Sequence, residues 1–160
     1  MSRPILSHLD DANQPVMVDV SAKPESARVA RATCLVHLGP DLLAQMEDGE
    51  LKNKKGPVIH TAILAGIMGA KKTAELIPLC HPLPIDSVKV TITEKDAEHL
   101  LITATAKTSG RTGVEMEALT AASSAALTLY DMCKAANPGI IIRDLKLLSK
   151  TGGKSDYSLA

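Results

Sequence analysis

From Arg28 to Leu38 apolar and polar positions alternate: Ala30, Ala32, Cys34, Val36 and Leu38 stand against Arg31, Thr33 and His37. A period of two predicts a strand with one face buried. The pattern returns in Val88 to Glu94 and again in His99 to Lys107, with the turn Asp96-Ala97-Glu98 between them, which predicts an antiparallel hairpin. A last strand is expected over Ile140–Leu148, after the turn Asn137-Pro138-Gly139. Two long stretches lack the alternation. Val58 to Leu76 follows Pro57, a residue suited to the first turn of a helix, and its Gly66 and Gly69 suggest close packing on another backbone. The stretch from Val114 to Ala136 has no Gly or Pro and is rich in Ala and Leu, which predicts the central helix. Its apolar residues form two stripes, Met116-Leu119-Leu127-Tyr130 and Ala118-Ala122-Ala125-Leu129-Met132, so it should be buried most of the way round.

The order is strand, helix, strand, strand, helix, strand, with a short helix opening at Pro40. That order predicts an α+β, ferredoxin-like βαββαβ fold: an antiparallel four-stranded sheet with two long helices on one face. Residues 1–26 read as an N-terminal arm in which Met17–Lys23 pairs briefly as an edge. Residues 27–149 read as one domain, and 150–160 as a Gly- and Lys-rich tail that orders on ligand.

Composition narrows the function. The 160 residues carry 45% apolar and 22% charged positions and no net charge, which suits one globular domain and gives no general pull toward nucleic acid or membrane. No apolar run approaches a membrane span, and MSRPILSHLDDANQ lacks a signal-peptide pattern. Cys34, Cys80 and Cys133 have no CxxC spacing and read as reduced thiols in a cytoplasmic protein. With no Phe, no Trp and only Tyr130 and Tyr157, the chain lacks the rings on which RNA-recognition domains of the same strand order stack bases. A non-catalytic nucleotide-sensing module on the same fold is a second rival. It would keep lysines but has no need of acids near a reacting ring.

Charged residues on the central helix are the first candidates for chemistry. Glu115 and Glu117 lie in its first turn and Asp131 and Lys134 near its last. The bland readings are a favourable dipole for the glutamates and a pair across one turn for the others. A helix with few solvated faces makes an ion pair costly, so function weighs evenly against structure here. Glu117 and Asp131 share a face but lie about 21 Å apart along the axis. Serving one site would need a long ligand or a second copy of the helix packed antiparallel, as a two-fold interface provides. Elsewhere, Lys52, Lys54 and Lys55 precede a helix N-terminus, a natural anion site. Cys80-His81 stands among prolines that would hold one of the two toward a ligand. Neighbours in an extended stretch point opposite ways, which argues against a joint metal site. Cations set against few acids suit a polyanionic substrate that undergoes proton transfer.

Lys55-Gly56, AGIMGAKKTAELIPLCHPLP, TGVEMEALTAASSAALTLYDMCK and KTGGKS resemble the signature blocks of the cyclic pyranopterin monophosphate synthase family, over roughly Met17 to Ser155. The resemblance implies a ferredoxin-like fold, a homohexamer built as a trimer of dimers with sites between subunits, and a lyase of molybdenum cofactor biosynthesis. The substrate it implies is 3′,8-cyclo-7,8-dihydro-GTP, converted to cyclic pyranopterin monophosphate with loss of pyrophosphate. By the same resemblance Asp131, Lys55 and Lys134 are catalytic. Leu79, Cys80, His81, Met116, Glu115 and Glu117 line the substrate, and Lys23, Arg28, Lys150 and Lys154 meet phosphate or the reacting ring. No resident cofactor or metal is implied, with Mg²⁺ left open as a companion of the triphosphate. The chain departs from the family pattern at Pro57, where Asp is common, at Ile63, often basic, and at Asp156, where a further Gly is common.

Overall fold

The computed structural model describes residues 8–10 and 12–159. The first seven residues of the expected arm, and residues 11 and 160, lie outside the described residues. The elements are β1 (Ser26–His37), α1 (Pro40–Leu43), β2 (Lys52–Asn53), β3 (Gly56–Pro57), α2 (Val58–Lys71), α3 (Thr73–Leu76), β4 (Ser87–Glu94), β5 (His99–Gly110), α4 (Glu115–Cys133), β6 (Ile141–Thr151) and β7 (Tyr157–Ser158).

The main sheet runs β4-β5-β1-β6-β7, and every pairing in it is antiparallel. It has five strands where four were expected, because the tail turns back at Gly152 and pairs Tyr157 with Lys150 and Ser158 with Ser149. The tail therefore has a path of its own. Met17–Lys23, expected as an edge, forms no strand. The lysine-rich loop instead makes a separate small hairpin of β2 and β3.

Period-two patterning holds along β1 and β5. Ala30, Ala32, Cys34 and Val36 are sealed from solvent, as are their cross-strand partners Ala106, Ala104, Ile102 and Leu100. Over this face α4 packs across β1, β5 and β6, while α2 covers β4 and lies against α4. Small residues bring the two helices together. A Cβ on Gly66 would come within 2.9 Å of the Ala121 carbonyl oxygen, and one on Gly69 within 2.2 Å of Ser124 Oγ. The expected close packing at both glycines is thus present, and its partner is α4.

The run expected as one helix over Val58–Leu76 breaks at Lys72, giving α2 and the single turn α3. Pro57 does not begin the helix. It stands at the N-cap in extended conformation (φ −69°, ψ 124°) and pairs with Lys52. Ile63, the apolar departure, packs against the core.

Candidate active site

The N-terminus of α4, the N-terminal end of β1 and the C-terminal end of β6 converge on one cleft of about 480 Å³. Antiparallel pairing explains the convergence: the start of β1 lies beside the end of β5, which leads into α4, and beside the end of β6. Lys23, Arg28, Lys150 and Lys154 line the cleft from the strand ends and the tail. Glu115, Met116 and Glu117 enter from the first turn of α4, and Leu79, Cys80 and His81 form the opposing wall. All ten residues named for substrate binding thus border one cavity.

Backbone constraints hold the cations in place. Arg28 donates from Nε to the Gly110 carbonyl oxygen at 2.9 Å. Gly152 has φ +82°, and a Cβ there would lie 1.9 Å from the Ala27 carbonyl oxygen, so only glycine allows the chain to turn so close to β1. Asp156 closes the same loop by accepting the Gly152 N–H at 3.0 Å. The residue where the chain departs from the family pattern therefore braces the loop that carries Lys154.

The acids differ in state. Glu115 reaches Lys150, whose Nζ lies 3.0 Å from Oε1. Glu117 is only 4% exposed, and burial, with a smaller contribution from Glu115, pushes its carboxyl above the ordinary range. Burial, and then the Glu117 charge, also raises the Cys80 thiol. Cys80 thus feels the Glu117 charge, and His81, on the same wall of the cleft, donates from Nε2 to the Val18 carbonyl oxygen at 2.7 Å. Pro78 sits in a turn closed by Cys80 N–H to the Ile77 oxygen at 3.1 Å, so the proline-rich run opens with a turn, not as extended chain throughout.

Asp131, Lys55 and Lys134 form a second group away from this cleft. Asp131 Oδ1 lies 2.7 Å from Lys134 Nζ, and Oδ2 lies 3.0 Å from Lys55 Nζ. Hydrogen bonding to Lys134, then to Lys55, holds the Asp131 carboxyl at about 2, and the same bond raises Lys134. The side chains are 53–56% exposed, so the expectation of a costly desolvated pair does not hold. In the last turn of α4 Met132 and Cys133 stay in the core while Asp131 stands on the side that meets water.

The lysine loop also differs from its expected use. Glu50 occupies the N-terminus of α2, accepting the Ile59 and His60 backbone N–H groups at 2.7 and 3.1 Å and pairing with the His60 ring. Burial opposes this charge, but the His60 contact and three backbone N–H groups outweigh it and bring the Glu50 carboxyl to about 2. The helix end already holds a carboxylate and offers no open anion site. Lys55 is carried to Asp131 by the β2–β3 hairpin, which Asn53 anchors by donating from Nδ2 to the Met132 oxygen at 2.6 Å.

Sequence reasoning missed Arg111, which lines the cleft and lies 3.6 Å from Glu25, and Thr112, beside it. The signal was present, since both lie between a predicted strand and the central helix, where strand ends and a helix N-terminus meet. With Arg111 the cleft has five cationic side chains against two carboxylates, a balance that suits a polyanion carrying a polar ring. Among the described residues no three His, Cys, Asp or Glu side chains stand together as a metal cage, and no helix is long and apolar enough to cross a membrane.

A family model described as the MoaC family matches residues 17–153. The chain is 55% identical over 151 residues to the cyclic pyranopterin monophosphate synthase of Rhodospirillum rubrum, covering 94% of this chain and 90% of that one. To the protein of the same name from Brevibacillus brevis it is 50% identical over 150 residues, 94% and 92% of the two chains. It is also 52% identical over 153 residues to molybdenum cofactor biosynthesis protein 1 of Drosophila melanogaster, which spans 95% of this chain and 27% of that longer protein. Because the match runs from the arm, through the cleft, to the glycines of the tail loop, the chain belongs to the MoaC family.

Proposed function

We propose that the protein is a cyclic pyranopterin monophosphate synthase, a cytoplasmic lyase that converts 3′,8-cyclo-7,8-dihydro-GTP to cyclic pyranopterin monophosphate and pyrophosphate. The observation that carries this is the meeting of five cations and two acids in one cleft of a chain whose relatives bear that name over almost their whole length. Lys23, Arg28, Lys150 and Lys154 hold the triphosphate and offset the charge that builds on departing pyrophosphate. Leu79, Cys80, His81, Met116, Glu115 and Glu117 surround the ring. A sugar hydroxyl oxygen forms a bond to the α-phosphorus as the bridge to the β-phosphate breaks, and the pair of electrons leaves with pyrophosphate. Any Mg²⁺ arrives on the triphosphate, and the protein contributes no resident cofactor.

Asp131, Lys55 and Lys134 complete the site from a neighbouring copy, where they transfer protons during opening and rebuilding of the purine-derived ring. Two features support this. Asp131 stands one turn from Leu127 and on the same side of α4 as Met116, which lines the cleft, so the exposed side of the helix runs from Asp131 to the cleft's own edge. The outer face of the helical layer also exposes Leu64, Met68 and Leu127 at 57–62%, an apolar surface fit for a second copy. Two copies of α4 crossed antiparallel about a two-fold axis bring the Asp131 end of each to the cleft end of the other. Dimers of this kind assemble in threes into a homohexamer. Incubation with the cyclised dihydro-GTP tests the reading: pyrophosphate and the cyclic phosphate should appear in equal amounts. A protein that binds the compound without releasing pyrophosphate is a sensing module instead.

A further inference from the structure

The hairpin of β6 and β7 carries two of the cleft's cations, Lys150 on the strand and Lys154 in the turn. Its return strand pairs Tyr157 with Lys150, so it lies along the strand that presents Lys150. The turn itself is gripped at one residue from two sides. Ser26, the first residue of β1, donates from Oγ to the Gly152 carbonyl oxygen at 2.7 Å, and Asp156 Oδ1 accepts the Gly152 N–H at 3.0 Å. The Ser26 bond fixes the turn to the first strand of the sheet, and the Asp156 bond closes the turn on itself. Neither Ser26 nor Asp156 is among the described residues that border the cleft.

What these bonds oppose is visible in the next two residues. Gly153 abuts Arg28, since a Cβ there would stand 3.2 Å from Nη1. Lys154 follows, so the turn sets an ammonium group into a cleft that already holds Lys23, Arg28, Arg111 and Lys150. Like charges gathered in one cleft repel one another, and an unbraced Gly-Gly turn is free to relieve that by swinging outward. A turn held in place before an anion arrives avoids the ordering cost that binding otherwise carries.

We propose that Ser26 and Asp156 are positioning residues: by holding both polar groups of Gly152 they keep the β6–β7 turn closed and Lys154 in the cleft before a polyphosphate binds. The inference rests on the proposed function only for taking that polyphosphate to be the substrate's triphosphate. The charge of Asp156 makes the claim easy to separate from bulk electrostatics. A carboxylate close to a cationic cleft repels anions, so removing its charge alone should favour their binding. The brace demands the reverse for any substitution that loses the acceptor.

The test measures binding of inorganic tripolyphosphate by calorimetry at fixed salt and pH. Asp156→Ala and Ser26→Ala should each weaken it about fivefold, the worth of one ordinary hydrogen bond. Asp156→Asn keeps the Oδ1 acceptor and drops the charge, so it should bind at least as tightly as the parent. In a Lys154→Met background each alanine substitution should change the affinity by less than about twofold, because the braces act through Lys154. With the cyclised dihydro-GTP, the two alanine variants should raise KM by a factor similar to the loss of affinity, with kcat within about twofold. Unchanged or tighter tripolyphosphate binding in Asp156→Ala overturns the brace. Equal weakening in Asp156→Asn and Asp156→Ala overturns it too, since the acceptor would then not matter. A full loss that persists in the Lys154→Met background shows an effect that does not pass through Lys154 and overturns the positioning role. A parent protein that binds tripolyphosphate but releases no pyrophosphate from the cyclised compound fails the proposed function instead, and the binding comparison still decides what Ser26 and Asp156 do.

Discussion

Lys134 holds its Nζ 2.7 Å from Oδ1 of Asp131, the residue one helical turn before it. Lys55 takes the other oxygen of the same carboxylate, so one acid sits between two ammonium groups. Asp131 therefore stays ionised at any pH at which an enzyme works, and its charge keeps Lys134 protonated above the ordinary lysine range. With both oxygens taken by ammonium groups, Asp131 is a weaker base than a free carboxylate, and Lys134 holds its proton more tightly than a free lysine.

The sign of each linkage follows from these shifts. The lowered Asp131 carboxyl stabilises the fold above its unfolded value of 3.8, and that contribution is lost as pH falls toward about 2. The raised Lys134 group stabilises below its unfolded value of 10.5, and its contribution is lost as pH rises through the higher folded value. Replacing Asp131 with Asn should lower the Lys134 midpoint toward the ordinary one, as read by NMR titration of the labelled lysine. A midpoint that stays in place would mean that another group holds the proton. Because the group is exposed and screened by solvent, the substitution should leave stability close to that of the parent.

Glu117 has the opposite linkage. Its carboxyl is raised by burial, so the folded protein binds a proton more readily than the unfolded chain does. Its ionised form opposes folding above the unfolded value of 4.5, and the penalty grows until pH passes the raised folded value. Glu117→Gln should therefore be more resistant to urea than the parent at pH 7, and the advantage should fade below about pH 4.5. Urea unfolding at a series of pH values measures this. An equal difference at every pH would show that the charge is not what burial penalises. Activity should fall even as stability rises, as expected of a group kept for function.

The helix pair gives a steric prediction. At Gly66 an added methyl meets a backbone oxygen at 2.9 Å, which cannot swing aside, so Gly66→Ala must push α2 from α4. The cost expected is about 1–3 kcal/mol, seen as a lower melting temperature in calorimetry. An exposed helical glycine would gain about 1 kcal/mol from the same change, so the sign separates the two situations.

The sheet and long helices could be read in advance because their cause is periodic. Ala30, Ala32, Cys34 and Val36 alternate, and they are the residues the fold seals. The fifth strand was not legible, since Tyr157-Ser158 has no pattern of its own and pairs only because Gly152 can turn and Asp156 can brace the turn. The break at Lys72 was hidden for a related reason: nothing in AKKTAEL forbids helix. Of the site, the cleft gathers every residue named for binding, while Glu50 filling the end of α2 escaped notice. Its partners, Ile59 and His60, lie nine and ten residues away across the hairpin, beyond the reach of a local capping pattern. The exposure of Asp131 was also misjudged, because α4 keeps one side in solvent: Leu127 and Asp131 are exposed while Met132 and Cys133 beside them are buried.

The central claim is that the cleft of one copy works with the Asp131 group of another. Asp131→Asn and Lys150→Ala, each expected to be inactive alone, can be unfolded together, refolded as a mixture and assayed for pyrophosphate release from the cyclised dihydro-GTP. Mixed assemblies would contain sites with an intact cleft from one copy and an intact Asp131 from the other, so activity should return to about a quarter of the parent level, the share expected from random two-fold pairing. Activity that stays at the level of the separate variants would place Asp131 and the cleft in one chain's own site, and the account would be wrong.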